Sequence, residues 1–542
     1  MNRCTGKIKI MIYVLLAFIM FSFQTSYAAT YYVSTTGNNS FTAIQAQNLA
    51  TPWKTIQKAA NSLVAGDTVY IREGTYNEQV TPKNSGSISK YIVYTTYSGE
   101  MVTVDGTNGL NIGMNLWNGV FEIQNRSYLQ ISGFRVINSP AFGIQVSNSN
   151  NIKIFNNYIY NTKNSGIRIG DSNLITIDGN EIEFTCNGGD QNNGIQECLS
   201  FHNTPNSVAS HNIVHNCGME AIDFKVASSN CKIFGNDVYD MARIGIYVDG
   251  YSQSIDNMEI YNNVVHDSKP VASGAGDDGI RIGAELGVAV SNVKIYNNIT
   301  YNISGSGITV NAYTASGYPQ PVFSNINIYN NTVYNVGTKV GNSWGGSGIG
   351  VEGSKNTGIY VRNNLLSKAG APNISVSLGA TISNNLFNGG TTIGTGSVTG
   401  NPLFVNAVAH DFHLQSNSPA INAGLLTGAP TSDFDDKARI GNPDIGAYEY
   451  SSLTGIEIQK TDSSVSIYPN SINTSFTLKI SPETTLKNAT MKIYDICGKL
   501  VKNVMIRHNE TIIDRNKLQN GMYLYNFMNN NQTIGKGKLV MQ

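Results

Sequence analysis

The reading of this chain turns on residues 151–170, NIKIFNNYIYNTKNSGIRIG. It returns as CKIFGNDVYDMARIGIYVD at 231–249 and as VKIYNNITYNISGSGITVN at 293–311, with shorter echoes MEIYNNVVHD at 258–267 and INIYNNTVYN at 326–335. Each unit runs apolar-x-Ile-aromatic-x-Asn-x-Val/Ile-x-Asn, then a loop, then Gly-Ile-x-Val. The shortest spacing is 23 residues, from Asn157 to Asn180, and it lengthens where loops are inserted. Apolar and polar residues alternate over short runs, which is strand periodicity. A unit this short holds about three strands and cannot bury a face alone, so the units must stack as coils of a solenoid. The expected fold class is all-β: a right-handed parallel β-helix with an N-terminal capping helix, followed by a small C-terminal β-sandwich. The repeated Asn157, Asn180, Asn212, Asn236, Asn263, Asn298, Asn331, Asn364 and Asn385 are expected to form a scaffold ladder, amide on amide, at a bend between strands.

Working outward, residues 1–28 read as a signal peptide. Arg3, Lys7 and Lys9 precede the apolar run Ile10 to Phe23, and Ser26-Tyr27-Ala28 is a small-x-small cleavage site. Residues 29–450 read as the β-helix, 451–462 as a polar linker and 463–542 as the β-sandwich. Pro52 to Leu63 has helical spacing with Thr51 as a candidate N-cap, and a helix there would cap the solenoid. Formal net charge is zero and charged residues make up 13% of the chain, so no nucleic-acid partner is implied. Cys186, Cys198, Cys217 and Cys231 cluster without a CxxC pair, which disfavours zinc and leaves disulfides or buried thiols open.

Several stretches resemble known families. The repeat, the opening YYVS (31–34), TPWKTIQKAA (51–60) and GDTVYIREGTY (66–76), and the closing NPLF (401–404), DFHLQSNSPAINAG (411–424) and DIGAYEY (444–450) resemble pectate-lyase-like secreted polysaccharide lyases. The C-terminal module resembles the sorting domain of the Bacteroidetes type IX secretion system. It does so through Ile467-Tyr468-Pro469-Asn470, Tyr494-Asp495, Gly498-Lys499-Leu500-Val501 and Gly521-Met522-Tyr523, with Ser471 where a second proline is usual. That resemblance implies export by the type IX machinery to a secreted or outer-surface location.

Aligning the coils on Gly-Ile-x-Val-x places the x positions outward. One column reads Arg168, Ser200, Asp223, Tyr247, Arg281; the next reads His202, Lys225, Asp249. Such a concentration of charge in a charge-poor chain points to a site. β-Elimination on a uronic-acid polymer (alginate, pectate or glycosaminoglycan) needs a base, a neutraliser of the substrate carboxylate and a proton donor. Lys225 is the candidate base, provided its neighbours lower its pKa, and His202, Tyr247 and Asp249 donate or orient protons. Arg281 and Arg168 suit a carboxylate clamp, with Asp223, Arg243 and Trp344 as further substrate contacts. The resemblance implies calcium, for which Glu197, Glu220 and Asp223 offer hard oxygens. Tyr313 and Tyr318 are candidate sugar-stacking aromatics. The alternatives are a glycoside hydrolase using a carboxylate pair, an epimerase sharing the C5 proton abstraction, and a non-catalytic carbohydrate-binding surface protein. The protein is expected to act as a monomer.

Overall fold

A computed structural model describes residues 28–450 except 108–117, 188–196, 270–276, 314–315, 338–345, 370–372 and 377–378. It also describes 465–541 except 469–470, 473, 482–483, 488, 496–498, 516–517 and 531. Nearly all of the signal-peptide stretch, the linker and Trp344 therefore lie outside the described residues. The chain divides into two compact units, Met1–Tyr450 and Ser451–Gln542.

The first unit is a right-handed parallel β-helix of three sheets. Two have 13 strands, from Thr30–Val33 to Ala380–Ser383 and from Gly74–Tyr76 to Val398–Thr399; the third has ten, from Gly119–Gln124 to Ile374–Val376. The central coils contribute one strand to each sheet in turn, and the terminal coils lack a strand in the third. Branched aliphatic residues suit the pleated, half-buried strand, and they stack coil on coil into a single apolar column. On the third sheet the column includes Ile167, Leu199, Ile222, Ile246 and Ile280, with Phe201 stacked on Phe224 at 4.0 Å.

The bend between the first two sheets is built by a residue pair. The first member takes a left-handed backbone: Asn156, Gly179, His211, Gly235, Asn262, Asn297, Asn330, Asn363 and Asn384 all have φ between 50° and 67°. Asn and Gly tolerate that region best, and His211 is the exception. The second member is the ladder asparagine. From Asn157 to Asn385 each Nδ2 donates to the next Oδ1 at 2.9–3.1 Å, and each side chain is buried. The same oxygens accept backbone N–H groups from the preceding coil, so the bend buries its polar groups without leaving them unpaired.

One expectation needs correction. The capping helix is shorter, Ile56–Ala60, and its N-cap is Thr55, whose hydroxyl accepts from Lys58 N–H. Trp53 is drawn out of it because it stacks on Tyr31 at 5.1 Å, bridges Val33 and donates its indole N–H to the Phe41 carbonyl. The segment 401–450 lies along a flank: Phe404, Phe412 and Leu414 pack on Ile299, Tyr301, Tyr334 and Leu365, outward residues of the second sheet and its edges. Cys198, Cys217 and Cys231 are free buried thiols, and Cys186 is buried as well.

In the second unit, a three-stranded antiparallel sheet (Val465–Tyr468, Ser475–Ile480, Glu510–Asp514) and a five-stranded sheet that includes Thr490–Asp495 and Gly521–Asn529 share one core. Phe476, Met491, Ile493 and Phe527 lie in it.

Candidate active site

The backbone register of the third sheet brings the charged columns together. Arg168 pairs with Ser200, Ser200 with Asp223, Asp223 with Tyr247 and Tyr247 with Arg281; beside them His202 pairs with Lys225 and Lys225 with Asp249. Parallel strands lie roughly 4.8 Å apart, so side chains 23 or more residues apart in sequence become neighbours. The flanking Ile, Phe and Val point into the core, which forces these residues to the outside.

The strip is not an open solvated face. Lys225 keeps 21% side-chain exposure, while Glu197, Asp223 and Asp249 are buried around it. Its Nζ lies 2.5 Å from Glu197 Oε1, 3.1 Å from Asp223 Oδ2 and 3.4 Å from Asp249 Oδ2. Three carboxylates thus face one ammonium. Burial lowers the Lys225 pKa, but Asp223, Glu197 and Asp249 outweigh it and hold the pKa well above the ordinary lysine value. The expectation that neighbours lower it is therefore corrected: as arranged, they keep the proton on.

The carboxylates divide the single positive charge unequally. Burial alone would raise Glu197, yet Lys225 and the Ser200 hydroxyl, 2.7 Å from Oε2, hold it at about 2. Burial raises Asp223 well above the carboxylate range, against the pull of Lys225 and with the push of Glu197 and Asp249. Asp249 is raised by burial to about 7, Lys225 opposing and Glu285 adding to the rise. Among the described residues neither Asp223 oxygen nor the buried Asp249 Oδ1 has a hydrogen-bond partner, the Asp223–Lys225 contact being an ion pair lacking hydrogen-bond geometry. Buried anions with unpartnered oxygens are costly unless a cation or a proton reaches them. Glu197, Asp223 and Asp249 therefore fit a hard divalent cation by donor chemistry. Glu220 turns instead toward Arg243, whose NH1 lies 3.4 Å from its Oε1.

His202 sits half-buried beside this group. Burial, then the Arg168 charge, lowers its pKa, so the ring is neutral at pH 7, and among the described residues its Nδ1 has no hydrogen-bond partner. Arg281 is clamped by Asp278, with Nε donating at 2.8 Å and NH2 at 2.7 Å from the same oxygen. Thr309 donates to that oxygen as well. Buried Tyr247 donates its hydroxyl to Glu285 at 3.1 Å. Tyr313 and Tyr318 are exposed.

Asp278, Glu285 and Glu122 were not singled out from the sequence. Asp278 was legible, because it stands two residues before the strand Ile280–Ala284, as Glu197 and Glu220 stand before theirs. Glu122 continues the Arg168 column backwards through Gln145, and burial raises its pKa to about 7. Glu285 follows its strand, and only the fold turns it back to Tyr247.

Comparisons with known proteins agree with this architecture. Residues 31–213 match the family model for a Pel9A-like right-handed β-helix region, and 226–387 match that for a right-handed β-helix region. Residues 466–542 match the secretion-system C-terminal sorting domain, which marks the protein as secreted or attached to the outer surface. Pectate lyase PEL9 of Emericella nidulans is 32% identical over 140 residues, 24% of this chain and 32% of that one. The uncharacterized protein YwoF of Bacillus subtilis is 32% identical over 107 residues, 18% of this chain and 22% of that one. The chain thus spans a third or less of either curated relative. Among solved structures, pectate lyase Pel9A has 17% identity and a TM-score of 0.49, covering 79% of this chain and 98% of its own. Among the described residues no helix is long and apolar enough to cross a membrane.

Proposed function

We propose that the third-sheet strip is the active site of a polysaccharide lyase acting on a uronic-acid polymer. The observation that carries the reading is Lys225 set among three buried carboxylates, between Arg168 and Arg281. In β-elimination the C5 proton leaves to a base, the electrons form the C4–C5 double bond, and the O4 leaving group departs with a proton. Arg281, held rigid by Asp278, binds the substrate carboxylate by paired hydrogen bonds, with Arg168 at the other side of the strip. Tyr247, oriented by Glu285, supplies a proton on the leaving side. Lys225 is the base. A hard cation such as calcium, held by Glu197, Asp223 and Asp249, would neutralise the substrate carboxylate and, by taking up those oxygens, lower the Lys225 pKa. Without that relief, neutral His202 with its unpartnered Nδ1 is the better base. Tyr313 and Tyr318 offer exposed rings to flanking sugars, and the sorting domain delivers the protein to where such polymers are met.

Hydrolysis is the second reading, because a carboxyl raised to about 7 at Asp249 suits a general acid. The products separate the two. Pectate, alginate and glycosaminoglycans are each incubated with the protein, with and without chelator, and followed for ultraviolet absorbance of unsaturated uronate and for reducing ends. Elimination yields both signals. Reducing ends alone would replace the lyase reading by hydrolysis, and neither signal on any polymer would leave a binding protein. Loss of activity in Lys225→Ala with retention in His202→Ala assigns the base to Lys225; the reverse assigns it to His202.

A further inference from the structure

On the second sheet, away from the strip just described, Glu181 and Glu183 project outward from the strand Glu181–Glu183, and His215 projects from the strand Ile213–Cys217 on the next coil. Glu183 and His215 are register partners. One donor atom from each of the three residues lies within 4.8 Å of the other two.

The surroundings hold these donors in place. His215 is 9% exposed and stacks on Tyr239 at 4.7 Å, which sets its ring plane. Its Nε2 faces Glu181 Oε1 at 3.4 Å. The Asn216 carboxamide stands behind the ring, 3.2 Å from Nδ1. The Tyr158 hydroxyl donates to Glu183 Oε2 at 2.6 Å and leaves Oε1 available. Among the described residues no Lys or Arg forms an ion pair with either glutamate. Of the nearby cations, Arg135 lies over the Tyr158 ring, while Lys269 is engaged by Asp240 and Asn216.

We propose that Glu181, Glu183 and His215 form a binding site for a divalent transition-metal ion, with Zn²⁺ as the best match. Two carboxylates and a neutral imidazole around a dication give a neutral site. One nitrogen and two oxygens suit zinc rather than calcium, which prefers six or more oxygens. Ligand atoms about 2.1 Å from an ion sit at most about 4.2 Å apart, so only the longer gaps must close. Glu181, with 46% side-chain exposure, has the freedom to close them. Three protein ligands leave a fourth position for water or a ligand from solution.

The site is independent of the proposed lyase chemistry, and the test keeps them apart. The full chain carrying Asp223→Asn and Asp249→Asn, which disable the acidic strip as a cation site, is stripped with chelator and titrated with Zn²⁺ by calorimetry. One ion is expected to bind. Adding Glu181→Gln should weaken it at least tenfold, and adding His215→Gln should abolish it; Ca²⁺ at equal concentration should not compete. Circular dichroism confirms that each variant is folded, and a folded Glu181→Gln protein carries the test should His215→Gln fail to fold. Zinc affinity unchanged within twofold by Glu181→Gln, or no zinc bound at all, would overturn the assignment.

Discussion

Replacing Lys225 by methionine tests the electrostatics of the strip directly. The substitution keeps most of the side-chain volume and removes the cation that, among the described residues, pairs with Glu197, Asp223 and Asp249. Breaking a buried ion pair by deleting one partner costs ~3–5 kcal/mol, because a buried charge is left uncompensated. For a cooperative unit of roughly 400 residues, unfolding entropy near 0.9 kcal/mol/K turns that into a drop of about 3–6 °C in Tm. The sign with pH follows from the carboxyls. Once the ammonium is gone, Glu197 loses the main cause of its lowered pKa and Asp223 and Asp249 rise further, so the stability these raised carboxyls contribute is present at low pH and lost as pH rises through their folded values. The loss should therefore be small at pH 5 and full at pH 8. Adding Ca²⁺ at pH 8 should restore part of it, since a cation replaces the missing charge. Melting curves of both proteins at the two pH values, with and without Ca²⁺, make the measurement. An equal Tm at pH 8 would refute the claim that Lys225 compensates a buried anionic cluster.

Two further outcomes follow from other parts of the solenoid. Asn263→Ala removes side-chain hydrogen bonds to Asn298 and to the carbonyls of Ile233 and Tyr261, takes the acceptor from the Asn236 backbone N–H and leaves the Asn236 side-chain amide its bonds to Ala209 and Phe234. Several buried polar groups at ~1–3 kcal/mol each should lower stability by at least about 3 kcal/mol, measured by denaturant unfolding, and a loss below about 1 kcal/mol would contradict the ladder's role. Glu122, raised by burial from 4.5 to about 7, contributes stability below its unfolded pKa that is lost as pH rises through 7. Glu122→Gln should match the parent near pH 4 and exceed it by up to about 3 kcal/mol at pH 8; parallel curves at all pH values would argue against the buried carboxyl.

The order of the coils, the inward Ile and Val, the asparagine ladder and the outward columns were all legible in the chain, because a solenoid contacts itself at a fixed sequence interval. Once Asn157 and Asn180 set that interval, neighbours in space follow from neighbours in the repeat. The same arithmetic placed Arg168, His202, Asp223, Lys225, Tyr247, Asp249 and Arg281 on one strip. What the interval does not carry is the direction of a side chain beyond its Cβ or the depth of the strip. Only the tertiary structure turned three carboxylates onto Lys225 and so reversed the sign of its pKa shift. Only the tertiary structure turned Glu220 to Arg243, brought Glu285 to Tyr247, and drew Trp53 away from the capping helix onto Tyr31. Periodicity fixes Cα positions one coil at a time, whereas charge pairing and burial depend on rotamers and covering segments whose lengths differ from coil to coil.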